Sequence, residues 1–155
     1  MRTTRPQMFM EIAQAVARRS TCMRLNVGAV IVQGRSIVSI GYNGAPSGAP
    51  HCLGNSCPGK LSCRETIHAE DNALRHLPVL NYHDNGTLDL YVTDSPCVSC
   101  FMKIQQTEVV RRIFFATPYR VNDHLKGIEG IDVYRVLPAG YVLDWNTQEL
   151  VDVET

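Results

Sequence analysis

At 155 residues with 45% hydrophobic content, the chain has the size of one domain and enough apolar side chains for a single buried core. Fifteen basic and fifteen acidic residues cancel to a formal charge of zero, which argues against the broad electropositive face of a protein that binds polymeric nucleic acid. The sequence has neither an apolar run near the roughly 18 residues of a membrane span nor a signal-peptide core; a cytoplasmic protein is expected, with its six cysteines serving as metal ligands or free thiols rather than disulfides.

In chain order, Pro6 opens a helix in which Phe9, Ile12, Ala13, Val16 and Ala17 recur at helical spacing, leaving Gln14, Arg18 and Arg19 outward. The runs 27–32 (VGAVIV) and 36–42 (SIVSIGY), separated by Gln33-Gly34-Arg35, read as two antiparallel strands, the first buried on both faces. Residues 43–65 form a Gly/Pro/Cys-rich stretch, longer than an ordinary connection.

A second helix is expected from about Thr66 to Leu77, with Ala69, Ala73 and Leu77 on one stripe and Pro78 as its stop. A strand at 87–93, a helix from Cys97 to about Gln106, a strand at 109–117, a short helix from Asn122 to Glu129 and a strand at 130–136 follow. This order predicts one α/β domain over 1–155. It is a three-layer α-β-α sandwich on a five-stranded mixed sheet, with a C-terminal extension after 137 that has no assigned structure.

The chemistry-bearing residues lie at two helix starts. Cys97 and Cys100, at i and i+3 after Pro96, point to a common side of a first turn, where the positive helix end favours thiolates. With His68 they make three ligands of the kind zinc takes, leaving the fourth tetrahedral position to water, the arrangement of a catalytic site. Glu70, two residues after His68, is placed to take that water's proton and return it to a leaving group. A closed structural zinc or a dithiol site would leave His68 or Glu70 without a task.

Four further cysteines, Cys22, Cys52, Cys57 and Cys63, suffice for a second, structural zinc, with His51 able to replace one of them; buried free thiols are the alternative. Arg24 and Asn26 before the first strand, and Asn43 after the second, can line one end of the sheet as contacts for a sugar and a phosphate. Asn72 is either another such contact or a helix-turn hydrogen bonder. Tyr119, after Thr117-Pro118, can hang its ring over the site mouth. His76, His83 and His124 have no ligand-type neighbours in sequence and read as surface residues.

From Ser20 to Val136 the chain resembles the zinc-dependent cytidine deaminase superfamily, and within it the deoxycytidylate deaminases. The segments STCMRLNVGAVIV, GYNGAPSG, HAEDNA, VTDSPCVSC and TPY carry the resemblance, and H-x-E with P-C-x-x-C is the deaminase signature. The resemblance implies hydrolysis of dCMP to dUMP and ammonia, with zinc on His68, Cys97 and Cys100 and proton transfer by Glu70. It also implies substrate contacts from Arg24, Asn26, Asn43, Ala69, Asn72, Ser95 and Tyr119. Gly41, Tyr42, Asn43, Gly44, Ala45, Pro46, Ser47 and Gly48 match the segment that binds triphosphate effectors. It thus implies activation by dCTP and inhibition by dTTP, with Mg2+, in a homo-oligomer, a hexamer. Rival readings are a deaminase of CMP, of a nucleoside or of tRNA adenosine, and a zinc-stabilised interaction module without catalysis; Glu70 distinguishes the last, because a structural zinc needs no adjacent base.

Overall fold

The apolar run expected as a buried strand lies inside a sheet of seven strands in the order β2-β1-β3-β4-β5-β6-β7. The computed structural model describes residues 1–52, 66–78, 87–120 and 122–153. Strands β1 (Gly28–Gln33) and β2 (Ser36–Tyr42) form the antiparallel hairpin, and β1 also pairs antiparallel with β3 (Leu88–Asp94). Strand β3 runs parallel to β4 (Val110–Thr117), and β4 parallel to β5 (Asp132–Val136). A bidentate ion pair from Arg112 to Asp89, 2.7 and 2.6 Å, fixes the register of the parallel β3–β4 pair.

Alternation along β1 divides its side chains between two layers. Val30 and Val32 meet Phe9, Met10 and Ala13 of helix α1 (Arg5–Ala17). Ala29 and Ile31 meet Ala69 and Ala73 of α2 (Ala69–Arg75), together with Phe101 and Ile104 of α3 (Val98–Thr107). The three-layer sandwich is therefore as expected, and α1 starts where Pro6 indicated, capped by Thr4.

Three expectations are corrected. Among the described residues the sheet has seven strands, not five: β6 (Val142–Asp144) and β7 (Leu150–Val151) extend it through the C-terminal segment. These strands are too short to show alternation. Their turn is held by Asp144, whose Oδ1 accepts from the N–H groups of Asn146 and Thr147. Trp145, unassigned in the sequence, packs edge-on against Phe115 with ring centroids 5.0 Å apart, so this segment caps the core.

The second helix begins at Ala69 rather than Thr66, because Ile67 is taken up in an antiparallel bridge with Gly44, leaving His68 extended. The expected helix from Asn122 to Glu129 is a single 3-10 turn, Asp123–Leu125; Gly127 and Gly130, both at positive φ, turn the chain away.

Helix α3 ends on Glu108 in the left-handed region at φ 58°. Glycine adopts that conformation without Cβ strain, so Glu108→Gly is expected to raise stability by about 0.5–1 kcal/mol, read as a higher melting temperature; a lower one would contradict this cap. Among the described residues, no helix is long and apolar enough to cross a membrane.

Candidate active site

The parallel strands β3 and β4 end side by side, with Asp94 paired to Thr117, and the chain leaves both toward the same edge. The start of β1 and the end of β2 reach this edge too, since Ala29 pairs with Val92 and Gly28 with Tyr42. Ligand sites of open α/β sheets form at such strand ends.

Two helix entries deliver the metal-type ligands here. After β3, Ser95-Pro96 leads to Cys97, the N-cap residue of α3, with Cys100 three residues on. His68 is the N-cap residue of α2 and its side chain makes no bond to that helix, while Cys97 bonds both Cys100 of its own helix and His68. The two cap side chains are turned toward each other.

His68 Nδ1 lies 3.6 Å from Cys97 Sγ and 3.3 Å from Cys100 Sγ, and the three ligand atoms all fall within 4.8 Å of one another. A zinc ion about 2.1 Å from nitrogen and about 2.3 Å from sulfur sets a tetrahedral N···S edge of about 3.6 Å, so the trio fits zinc with little movement. Among the described residues it is the one group of this kind.

Electrostatics point the same way. A hydrogen bond with Cys100, and then one with His68, pulls the Cys97 thiol down to about 3. Cys100 is pushed up, first by its bond to Cys97, then by burial and by the charge of Glu70. His68 is raised, chiefly by its bond to Cys97. Two sulfurs and a carboxylate crowded together cannot all be ionised without a cation, and a divalent ion relieves that repulsion. Replacement of Cys97 by Ala is expected to remove about one zinc per chain, measured by elemental analysis; unchanged zinc would exclude Cys97 as a ligand.

Glu70 is 4% exposed, and burial drives its carboxyl from an ordinary 4.5 up to about 7, partly opposed by a backbone hydrogen bond and by His68. It sits in the first turn of α2, one residue beyond Ala69, which is fully buried. The extended His68 is what lets both side chains reach one place. In a continued helix, positions two apart point about 200° from each other.

The remaining candidates are spread around this centre. Asn43 is buried: its Oδ1 accepts from Val27 N–H at 2.8 Å, its Nδ2 donates to Leu25 O at 2.6 Å, and its carbonyl accepts from Ser20 Oγ at 2.8 Å. It thus shapes the loop that carries Arg24 and Asn26, both exposed. Asn72 Nδ2 donates to Tyr42 O at 2.8 Å, tying α2 to the end of β2.

Gly41 lies in β2 against α2, and Tyr42 is half-buried. Gly44 exchanges two hydrogen bonds with Ile67, 3.1 and 2.9 Å, the residue before His68. Ala45 N–H donates to Thr21 Oγ1 at 3.1 Å, while Pro46, Ser47 and Gly48 are exposed.

Ser95 is 3% exposed, and its hydroxyl accepts from Tyr119 N–H at 2.6 Å and donates to Asn122 Oδ1. Tyr119 is half-buried, with the Arg120 guanidinium 5.2 Å from its ring centroid. Cys22 and Cys52 are half-buried, His51 is exposed, and Cys57, Cys63 and His83 lie outside the described residues.

Two residues at the site were missed in the sequence. His124, read as a surface residue, is half-buried, with Nε2 2.8 Å from Pro96 O and its ring edge-on to Phe101. Asn122 joins Ser95 to Tyr119. No spacing in the sequence marks either, because Pro96 and Ser95 lie 28 and 27 residues away from them. His76 is exposed at the end of α2, its Nδ1 2.8 Å from Asn72 O.

Residues 3–117 match the family described as the cytidine and deoxycytidylate deaminase zinc-binding region. The chain is 32% identical over 142 residues to a deoxycytidylate deaminase of Schizosaccharomyces pombe, a match covering 84% of this chain and 43% of that protein. It is 32% identical over 147 residues to ComE operon protein 2 of Bacillus subtilis, covering 92% and 77%. The chain therefore spans less than half of the fission-yeast relative and about three quarters of the bacterial one. Among solved structures, the dCMP deaminase of cyanophage S-TIM5 in complex with dCMP and dUMP superposes with a TM-score of 0.69 at 28% identity, covering 83% of this chain and 93% of that one.

Proposed function

Because the chain belongs to the cytidine and deoxycytidylate deaminase zinc-binding family, we propose that it hydrolyses dCMP to dUMP and ammonia, with His68, Cys97 and Cys100 holding zinc and Glu70 moving the protons. One observation carries the reading: a buried carboxyl held near neutrality stands beside three converging ligand atoms. A purely structural metal site has no use for it.

Zinc, when bound, supplies a Lewis acid that makes water nucleophilic near neutral pH. Glu70 takes up the proton lost as water adds to the ring carbon bearing the amine. It delivers that proton to the adjacent ring nitrogen, then takes the second proton from the added hydroxyl and passes it to the departing nitrogen, so that the carbon–oxygen double bond forms, the carbon–nitrogen bond breaks and ammonia leaves. In the metal-free chain burial lifts its carboxyl to about 7, so the site lets it hold a proton as well as release one.

Substrate is held at the rim of the same strand ends. Tyr119 stacks on the pyrimidine, and Arg24 and Asn26 meet the sugar and phosphate from the exposed loop before β1. Asn43 and Asn72 add amide contacts while shaping that rim, and the backbones of Ala69 and Ser95 face the base. Support comes from the position of these residues at the strand ends and helix starts around His68 and Cys97, and from the relative solved with dCMP and dUMP.

Regulation by dCTP and dTTP with Mg2+ at Gly41–Gly48, within a hexamer, is the further reading of that segment. The bridge from Gly44 to Ile67 supports it, by linking the segment to the residue before His68. A second zinc on Cys22, Cys52, Cys57 and Cys63 belongs to the same proposal, and two zinc ions per chain by elemental analysis is its expected result.

The test is ammonia release from dCMP, CMP, dCTP and deoxycytidine side by side, with Glu70→Ala as the blank. Turnover of dCMP ahead of the others is the expected outcome; failure of the wild type on all four removes the enzyme reading. Equal velocity with and without dCTP or dTTP at sub-saturating dCMP removes the effector site.

A further inference from the structure

Tyr119 is held at its backbone by a closed circuit of hydrogen bonds. Its N–H donates to Ser95 Oγ at 2.6 Å, the Ser95 hydroxyl donates to Asn122 Oδ1, and Asn122 Nδ2 donates back to Tyr119 O at 2.7 Å. A carbonyl oxygen only accepts, so the amide of Asn122 has one orientation, nitrogen toward Tyr119 and oxygen toward Ser95. The Ser95 hydroxyl is both donor and acceptor, so its one hydrogen and one lone pair are committed here.

The circuit joins the two turns that matter most for the site. Ser95 N–H also donates to Thr117 O at 2.9 Å, and Ser95 stands two residues before Cys97. The position of Tyr119 relative to the ligand trio is thereby set through Ser95. Asn122 opens the 3-10 turn Asp123–Leu125 but makes no side-chain cap bond there, so its amide serves Tyr119 and Ser95 instead.

We propose that Asn122 is a positioning residue for this site: it acts through Tyr119, holding that ring where it grips the pyrimidine. The proposal rests on the cytosine-nucleotide reading above and adds a residue to it. A backbone held at both its N–H and its C=O leaves the ring only side-chain rotation, which lowers the ordering cost of binding.

The test is a double-mutant cycle on the zinc-loaded protein with Asn122→Ala, Tyr119→Ala and the pair. The readouts are the dUMP dissociation constant by calorimetry, KM and kcat for dCMP, and exchange of the Tyr119 backbone amide by NMR. Asn122→Ala is expected to weaken dUMP about tenfold and to raise KM more than it lowers kcat, while Tyr119 N–H exchange quickens.

With Tyr119 already replaced, Asn122→Ala is expected to change dUMP affinity less than about twofold. The same loss in both backgrounds, or no loss in either, overturns the proposal. Should Asn122→Ala fold poorly, Ser95→Ala breaks the same circuit from its other side and is read by the same cycle. If the wild type binds neither dUMP nor dCMP, the nucleotide reading fails separately. The positioning role is then decided by exchange alone, and Tyr119 N–H as protected in Asn122→Ala as in wild type overturns it.

Discussion

Glu70→Gln is expected to lose deamination by about 10²–10⁴-fold or more and, in metal-free protein, to be the more stable chain above neutral pH. The two effects share one cause. A carboxyl that is 4% exposed and raised from 4.5 to about 7 favours its protonated form in the fold. Its contribution to stability is therefore complete below about pH 4.5 and is lost as pH rises through about 7, the reverse of an ion-paired carboxylate.

The shift corresponds to about 3 kcal/mol of stability removed above pH 7. Glutamine has nearly the same shape and no charge, so it escapes that cost. Melting curves of metal-free wild type and Glu70→Gln should separate above pH 7 and converge near pH 4.5. Parallel curves at every pH would mean that Glu70 is not held protonated by burial. Full activity in Glu70→Gln would remove it from the proton path.

Gly41→Ala is expected to cost about 3 kcal/mol or more and to lower activity by about 100-fold. A Cβ at this position would lie 2.4 Å from both Ala69 O and Ala73 N, which are backbone atoms of α2. They cannot move as a flexible side chain does, so α2 must shift as a unit. It carries Glu70 and follows directly on His68, and the cost therefore reaches the site as well as the core.

Gly34→Ala is the comparison: its φ of +59° strains alanine, but nothing lies within 4 Å, so only about 1 kcal/mol is expected and activity should persist. Melting temperature, zinc content and dCMP turnover of both variants decide the matter. A Gly41→Ala protein as stable and active as wild type would contradict the close approach of α2 to β2.

His68, Glu70, Cys97 and Cys100 were legible in the sequence because their spacing is local: each pair lies within one helix start, and the chemistry of a thiolate, an imidazole and a carboxylate depends little on context. The three layers were legible for a similar reason, since periodicity over α1 and unbroken apolarity over β1 are imposed by burial at every residue. The strands β6 and β7 were not. Three and two residues are too few to show a period, and they pair only because β5 offers an edge and Asp144 turns the chain.

Side chains used away from their own segment were equally silent. Asn43 and Asn72 read as polar residues near a site, and nothing in the sequence marks their amide bonds to the backbones of Leu25, Val27 and Tyr42. Asn122 and His124 reach Ser95 and Pro96 across the junction of two strands.

What the sequence determined by itself was the chemistry: which groups can bind a metal, which can carry a proton, and that strands and helices alternate around them. The tertiary structure decided the geometry. The bridge of Ile67 to Gly44 holds the chain out of the helix up to His68, and that turn brings His68 and Glu70 to one place. The reason is physical: local propensity acts between neighbours in the chain, whereas hydrogen bonds and close packing between distant segments exist only once the sheet has formed.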